Sequence, residues 1–146
     1  MKCESTLEEE PTVSTAGCEI KLPMGLLGFE QIKSYLLIAN PGEAPFHWLQ
    51  VKDNPTLAFV VIDPFLVVPD YRPDIPQPDV DFLRLSAPAD AQLYCIVTLH
   101  HGRGATINLK GPIVINRLNG IGKQVVIANA IQYSVQYALP VADNAA

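Results

Sequence analysis

Cysteine is scarce and poorly spaced for chemistry. The 146 residues hold three, Cys3, Cys18 and Cys95. No two form a Cys-x-x-Cys pair, which excludes a zinc ribbon or a thioredoxin-type redox motif. An odd number does not fit the disulfide framework of a small secreted scaffold either. Cys95 lies in the apolar run Leu93 to Leu99 and reads as buried filling, and Cys18 as half-exposed on an early strand. Charge is also sparse: 17% of residues are charged against 49% hydrophobic, the reverse of a disordered chain. A net charge of -5 argues against a general nucleic-acid or anionic-membrane binder. No apolar run is long enough to span a bilayer. The N-terminal Met-Lys-Cys-Glu-Ser-Thr-Leu lacks the apolar segment of a signal peptide. A cytoplasmic protein is the resulting expectation.

Catalytic motifs are absent as well. The three histidines, His47, His100 and His101, have no zinc-motif spacing. His100 and His101 belong on opposite faces of a strand or in a turn before Gly102. None of the serines sits in a Gly-x-Ser-x-Gly elbow. Cys95 could pair with a histidine as a nucleophile, but its apolar neighbours favour an inert, protonated thiol. Gly25-Leu-Leu-Gly28 lacks the Lys-Ser or Lys-Thr of a phosphate loop. No catalytic residue, metal or cofactor is expected. Arg103, Arg117 and Lys123 could form a basic rim, too thin for sequence-specific DNA or RNA recognition.

What the chain does have is short apolar bursts between turn residues. They run over residues 13–22, 35–39, 46–51, 57–62, 93–99, 106–109, 113–115, 125–127 and 133–139, and are rich in Val, Ile, Tyr and Phe. Their length and composition predict strands. Phe46, Trp48 and Gln50 alternate with His47, Leu49 and Val51, as on a two-faced strand, and Trp48 suits a core or half-core anchor. Asn119-Gly120 is a hairpin signal, and Gly102-Arg103-Gly104 reads as a turn. Thirteen prolines and nine glycines leave little room for helices. Short helical pieces are expected only at Phe29 to Ser34 and at Ser86 to Ala91, with Ser86 as a cap. Strands without crossover helices imply antiparallel pairing. The expected fold is all-β, a small and mostly antiparallel β-barrel-like domain over 13–139. A barrel is favoured over a sandwich because closure protects edges. Residues 1–12, with Glu8, Glu9, Glu10 and Pro11, read as a flexible acidic tail, and 140–146 as a loose end.

Charge is unevenly placed. Residues 1–81 carry five basic against thirteen acidic side chains, and residues 82–146 five against two. The segment Asp63 to Asp81 concentrates this. It contains Pro64, Pro69, Pro73, Pro76 and Pro78, and Asp63, Asp70, Asp74, Asp79 and Asp81, against the single Arg72. Proline removes ladder donors and stiffens the backbone. The segment therefore reads as an extended strap or blocked edge strand, with Phe65, Leu66, Val67 and Tyr71 packing inward. Its acids offer a ledge that attracts a basic partner.

Four stretches resemble the FliW family of flagellar assembly factors. They are Pro23-Met-Gly-Leu-Leu-Gly-Phe-Glu30; Pro45-Phe-His-Trp-Leu-Gln50 with Asn54-Pro-Thr-Leu-Ala-Phe-Val-Val-Ile-Asp-Pro64; Asp63-Pro-Phe65 leading to Pro69-Asp-Tyr71; and Ala105-Thr-Ile-Asn-Leu-Lys-Gly-Pro-Ile-Val-Ile-Asn116 with Gly122-Lys-Gln-Val-Val126. Their order over residues 13–139 is what carries the resemblance. It implies a compact bacterial β-barrel-like protein with two protein partners, the translational repressor CsrA and soluble flagellin. Such proteins sequester CsrA, engaging it away from its RNA-binding surface yet lowering its RNA affinity, and so relieve repression of flagellin synthesis; free flagellin competes and restores it. From charge and hydropathy no direct nucleic-acid or membrane contact is expected, and a closed barrel, leaving little free edge, points to a monomer. Strap acidity and family motif together single out Asp70, Tyr71, Asp74, Asp79 and Asp81 as protein-binding residues. Gln136 joins them because Tyr133-Ser-Val-Gln-Tyr137 departs from the family's Tyr-x-x-Arg-His ending and loses its cationic contact. The competing readings are a small β-barrel enzyme of unknown substrate, marked by a polar pocket with coupled titratable groups, and a structural part of the flagellar apparatus.

Overall fold

The computed structural model describes residues 17–102 and 104–139; both tails, 1–12 and 140–146, lie outside that range. The first four strands, β1 (Cys18–Lys21), β2 (Ser34–Ala39), β3 (Phe46–Val51) and β4 (Ala58–Ile62), form an antiparallel meander that runs on into β5 (Ala91–His100). Alternation sets the register. Leu49 and Val51 are buried, opposite Leu37 and Tyr35, while Phe46 and Trp48 are half-buried. The Trp48 indole donates to Glu43 at 2.7 Å, which satisfies its polar end.

β5 then forks. Its first half, Ala91 to Tyr94, pairs with β7 (Ile113–Asn116); its second half, Val97 to His100, pairs with β6 (Gly104–Ile107). β6 continues to the two-residue β9 (Tyr137–Ala138), and β7 to β8 (Gly122–Gln124). Gly102 and Gly104 turn β5 into β6, and Gly120 turns β7 into β8, all with positive φ.

The sheet does not close into the expected barrel. β1 and the β7–β8 connection meet only at one parallel bridge, Lys21 to Ile121, and one hydrogen bond, Lys21 N–H to Gly120 at 2.9 Å. With three-residue β8 and two-residue β9, neither branch is long enough to form a closing ladder. Two of the expected strands also shift. The run Val125 to Ile127 follows β8 instead of forming it, and most of 133–139 is turn before β9.

One true helix, α1 (Gln77–Leu83), lies where the sequence predicted extended backbone. The prolines are the reason for both the expectation and its failure. Pro76 is the N-cap and Pro78 is in the first turn, where the missing N–H would have had no helical partner anyway. Arg84 ends the helix in the left-handed conformation, φ 57. Of the two expected helical pieces, Ser86 to Ala91 holds only a 3-10 turn, Pro88–Asp90, without a Ser86 cap; there the Asp90 carboxylate accepts from Ala87 N–H at 3.2 Å. Phe29 to Ser34 is turn leading into β2. Its geometry depends on Gly25, whose φ is +67 and where a Cβ would stand 2.5 Å from the Glu30 Cα.

Three apolar clusters result. The largest packs Ile20, Leu22, Leu26, Tyr35, Leu49 and Ile113 beneath the meander. Cys18 joins it at 8% exposure, more buried than expected. The second gathers Ile62, Tyr71, Cys95, Ile107 and Leu109 under the strap, and the third seats Leu83 of α1 on Val114 and Val125.

Candidate partner-binding face

The strap begins with a cap. Asp63 accepts from Phe65 N–H at 2.9 Å and starts the 3-10 turn Pro64–Leu66. That turn lifts Phe65 and Leu66 outward: both are exposed, not packed inward as expected, whereas Val67 is half-buried and Tyr71 is 3% exposed. The Tyr71 hydroxyl donates to the Leu109 carbonyl at 2.6 Å, and its ring meets Tyr133 edge-on at 4.9 Å.

Beyond Tyr71 the strap is laced to the C-terminal segment. Arg72 N–H donates to the Tyr133 hydroxyl at 3.0 Å, and Asp74 N–H to Asn129 Oδ1 at 2.8 Å. Asn129 Nδ2 returns to the Arg72 carbonyl at 2.8 Å, and Ala128 N–H to the Asp74 carbonyl at 2.7 Å. The Asn129 side chain thus replaces a ladder partner that a proline-rich strand lacks. α1 is held by β7 and β8. Buried Asn116 donates through Nδ2 to the carbonyls of Leu83, at 2.8 Å, and Arg84, at 3.2 Å. Lys123 of β8 pairs with Asp79 and lies 5.6 Å over the Phe82 ring.

The acidic candidates separate on this scaffold. Asp70 and Asp74 on the strap and Asp81 on α1 are exposed, with the Asp81 carboxylate accepting from its helical neighbour Gln77 at 2.9 Å. Asp79, 9% exposed, is committed to Lys123, and Tyr71 to Leu109. Both side chains thus have partners within the fold. Gln136 is exposed in the turn before β9. Its neighbour Tyr137 lines a shallow hollow of about 350 Å³ together with Asp70, Ile131 and Tyr133. The fold therefore brings the strap and the C-terminal ending to one side. Of the residues of the expected basic rim, Arg117 donates to the Ala89 carbonyl at 3.1 Å and Lys123 pairs with Asp79, while Arg103 lies outside the described residues.

Sequence reasoning missed a groove. Between strap, α1 and β5 lies an open cavity of about 440 Å³ walled by Phe65, Tyr71, Ile75, Val80, Leu85 and Leu93, with Ala87 and Pro88 at its rim. Its residues come from successive elements between Phe65 and Leu93, with no single helical or period-two pattern running through them. The one available hint was the spacing of apolar residues among the strap's prolines.

The described residues offer little for catalysis. No group of His, Cys, Asp or Glu could hold a metal among them. His100, half-buried at the end of β5, shares a 2.8 Å hydrogen bond with Thr106, and His101 is exposed in the turn. Burial, with the Asp63 charge behind it, pushes the Cys95 thiol up to about 12, far from a thiolate nucleophile. No helix among them is long and apolar enough to cross a membrane.

Known proteins match this chain over nearly its whole length. The model of the FliW protein family matches residues 2–139. The flagellar assembly factor FliW of Alkaliphilus metalliredigens is 38% identical over 122 residues, 82% of this chain and 75% of the relative. That of Leptospira biflexa is 41% identical over 109 residues, 73% and 71%. A crystal structure of the flagellar assembly factor FliW superposes with a TM-score of 0.73 at 32% identity, covering 82% of this chain and 84% of the other. On the family model, these relatives and the shared fold, the chain belongs to the FliW family.

Proposed function

We propose that this chain is a non-enzymatic flagellar assembly factor of the cytoplasm that alternates between two protein partners. It binds the translational repressor CsrA and relieves repression of flagellin synthesis; soluble flagellin competes for it and restores the repression. Family membership supports the assembly role. The observation that carries the choice of a basic partner is the exposed set Asp70, Asp74 and Asp81 on a strap and helix held by internal bonds. A repressor that grips RNA presents basic surface, and complementary charge raises the encounter rate. Gln136 and Tyr137 stand at the family's basic ending, next to Asp70, and a contact there is uncharged. The protein acts as a monomer, without metal or cofactor and without touching RNA itself.

A competition experiment tests this. The immobilised protein is loaded with purified CsrA and challenged with monomeric flagellin. Retention of CsrA followed by its release as flagellin binds is the expected result. Failure to retain either partner overturns the assignment, and co-sedimentation with assembled filaments in place of soluble flagellin favours a structural part of the apparatus.

A further inference from the structure

We propose that Arg84, at the C-terminal end of α1, is a contact residue whose guanidinium fork holds a carboxylate of a protein partner, an Asp or Glu side chain. The proposal deepens the partner-binding reading above and rests on it for the two proteins that probe it.

The backbone comes first. Arg84 has φ 57 and ψ 43, in the left-handed region. Among the described residues it is the only non-glycine with positive φ; the other such positions are Gly25, Gly28, Gly102, Gly104 and Gly120. In that region a Cβ crowds a carbonyl oxygen, and helices that end this way do so mostly on Gly, sometimes on Asn. Arg brings the crowding without the local side-chain bond that lets Asn tolerate it. Strain of this kind gathers at functional positions, held there by the surrounding structure.

The fold makes no use of the guanidinium. Arg84 is exposed, and every hydrogen bond it makes runs through its backbone. A cation at a helix C-terminus ordinarily serves the last carbonyls. Here they have other donors. Val80 accepts from Leu85 N–H and Asp81 from Arg84 N–H, each at 3.1 Å. The carbonyls of Leu83 and Arg84 accept from Asn116 Nδ2. Asp81, one turn back, has its carboxylate on Gln77. These bonds pin the peptide groups on both sides of Arg84, so the direction in which its side chain leaves the surface is set before a partner arrives. A fixed stem lowers the ordering cost of binding.

The chemistry of the fork selects the occupant. Guanidinium is planar, and its paired N–H groups match a carboxylate or a phosphate with two parallel bonds. A nucleic acid offers phosphates in rows and is gripped by many cations together. It would meet a chain of net charge -5 with Asp81 exposed one turn from the fork. One carboxylate on a protein surface needs one fork, and a partner that covers the pair excludes the water that weakens exposed ion pairs.

The test joins stability to binding. Arg84→Gly removes the strain and the guanidinium together, whereas Arg84→Ala removes the guanidinium and keeps the strain. The urea midpoint should rise for Arg84→Gly and hold for Arg84→Ala. In calorimetric titrations with CsrA and with monomeric flagellin, both variants should bind at least one partner about tenfold or more weakly than the natural chain. Arg84→Lys, which keeps the charge and loses the fork, should fall between. A lower urea midpoint for Arg84→Gly assigns the side chain to the fold and overturns the proposal. Binding loss confined to Arg84→Gly, which reports a loosened backbone, also overturns it, as does full binding by Arg84→Lys. If the natural chain binds its partners and all three variants match it, the Arg84 contact fails and the proposed function stands. If the natural chain binds neither CsrA nor flagellin, the proposed function fails and the contact fails with it.

Discussion

Cys95 is fully buried on β5 beside the Tyr71 hydroxyl, and burial with the Asp63 charge lifts its thiol from the ordinary 9.0 to about 12. Burial and then Asp63 also raise Tyr94 to about 12. The consequence for stability has a definite sign. Between pH 9 and 12 the unfolded thiol loses its proton while the folded one keeps it. The native state then holds more protons, so stability is full below pH 9 and falls as pH rises above it. Cys95 alone contributes a loss on the order of 1 kcal/mol per pH unit in that window. Urea midpoints at pH 8, 9 and 10 should therefore drop steeply for the natural chain. Cys95→Ala should start lower, from its cavity, and drop less between pH 9 and 10; parallel slopes would refute the account. At this scale the sequence was legible where a neighbourhood is local. Cys95 declared its burial through Leu93 to Leu99. Asp79 did not, because its partner Lys123 is 44 residues away and a count of acids is blind to such pairing.

α1 is short, and isolated helices of that length do not persist in water. Its stability must come from docking: Leu83 in the third cluster, Lys123 on Asp79, and above all Asn116 on the last carbonyls. Asn116 is 2% exposed, so truncation leaves the Leu83 carbonyl buried and unmet. Asn116→Ala should cost about 1–3 kcal/mol and raise amide exchange across residues 77–84, measured by urea melts and hydrogen–deuterium exchange. An unchanged exchange pattern would show that packing alone seats the helix. This element was hidden in the sequence for a physical reason. Proline is read as a breaker, yet at the cap and first turn it costs no helical bond. The strands β2 to β5 were visible because period-two alternation and β-branched runs report directly on two-faced backbone. The dock itself falls in the stretches that resemble the family: Asn116 ends one, and Lys123 is the second residue of the run from Gly122 to Val126.

On the scale of the whole molecule, closure of the sheet was not legible, since it depends on whether distant edges meet. Here β1 reaches the other branch at a single bridge, and no periodicity encodes that. Charge asymmetry was legible, and the fold gathers part of it onto one face: Asp70 and Asp74 point outward from the strap while Tyr71 between them points in. Alternation along the strap thus spends its apolar residue on the core and leaves its acids for solvent. If that face steers a basic partner, its effect must be kinetic and sensitive to salt. Field from exposed charges reaches about 30 Å at ~10 mM ionic strength and only about 8 Å at ~0.15 M. Asp70→Lys with Asp74→Lys reverses two charges without touching the strap's bonds, because Asp74 uses its backbone, not its carboxylate, to hold Asn129 and Ala128. Stopped-flow association with CsrA should slow by about tenfold or more at low ionic strength, with the gap to the natural chain narrowing as salt rises and the dissociation rate changing less than the association rate. Equal association rates at low salt would remove Asp70 and Asp74 from the encounter.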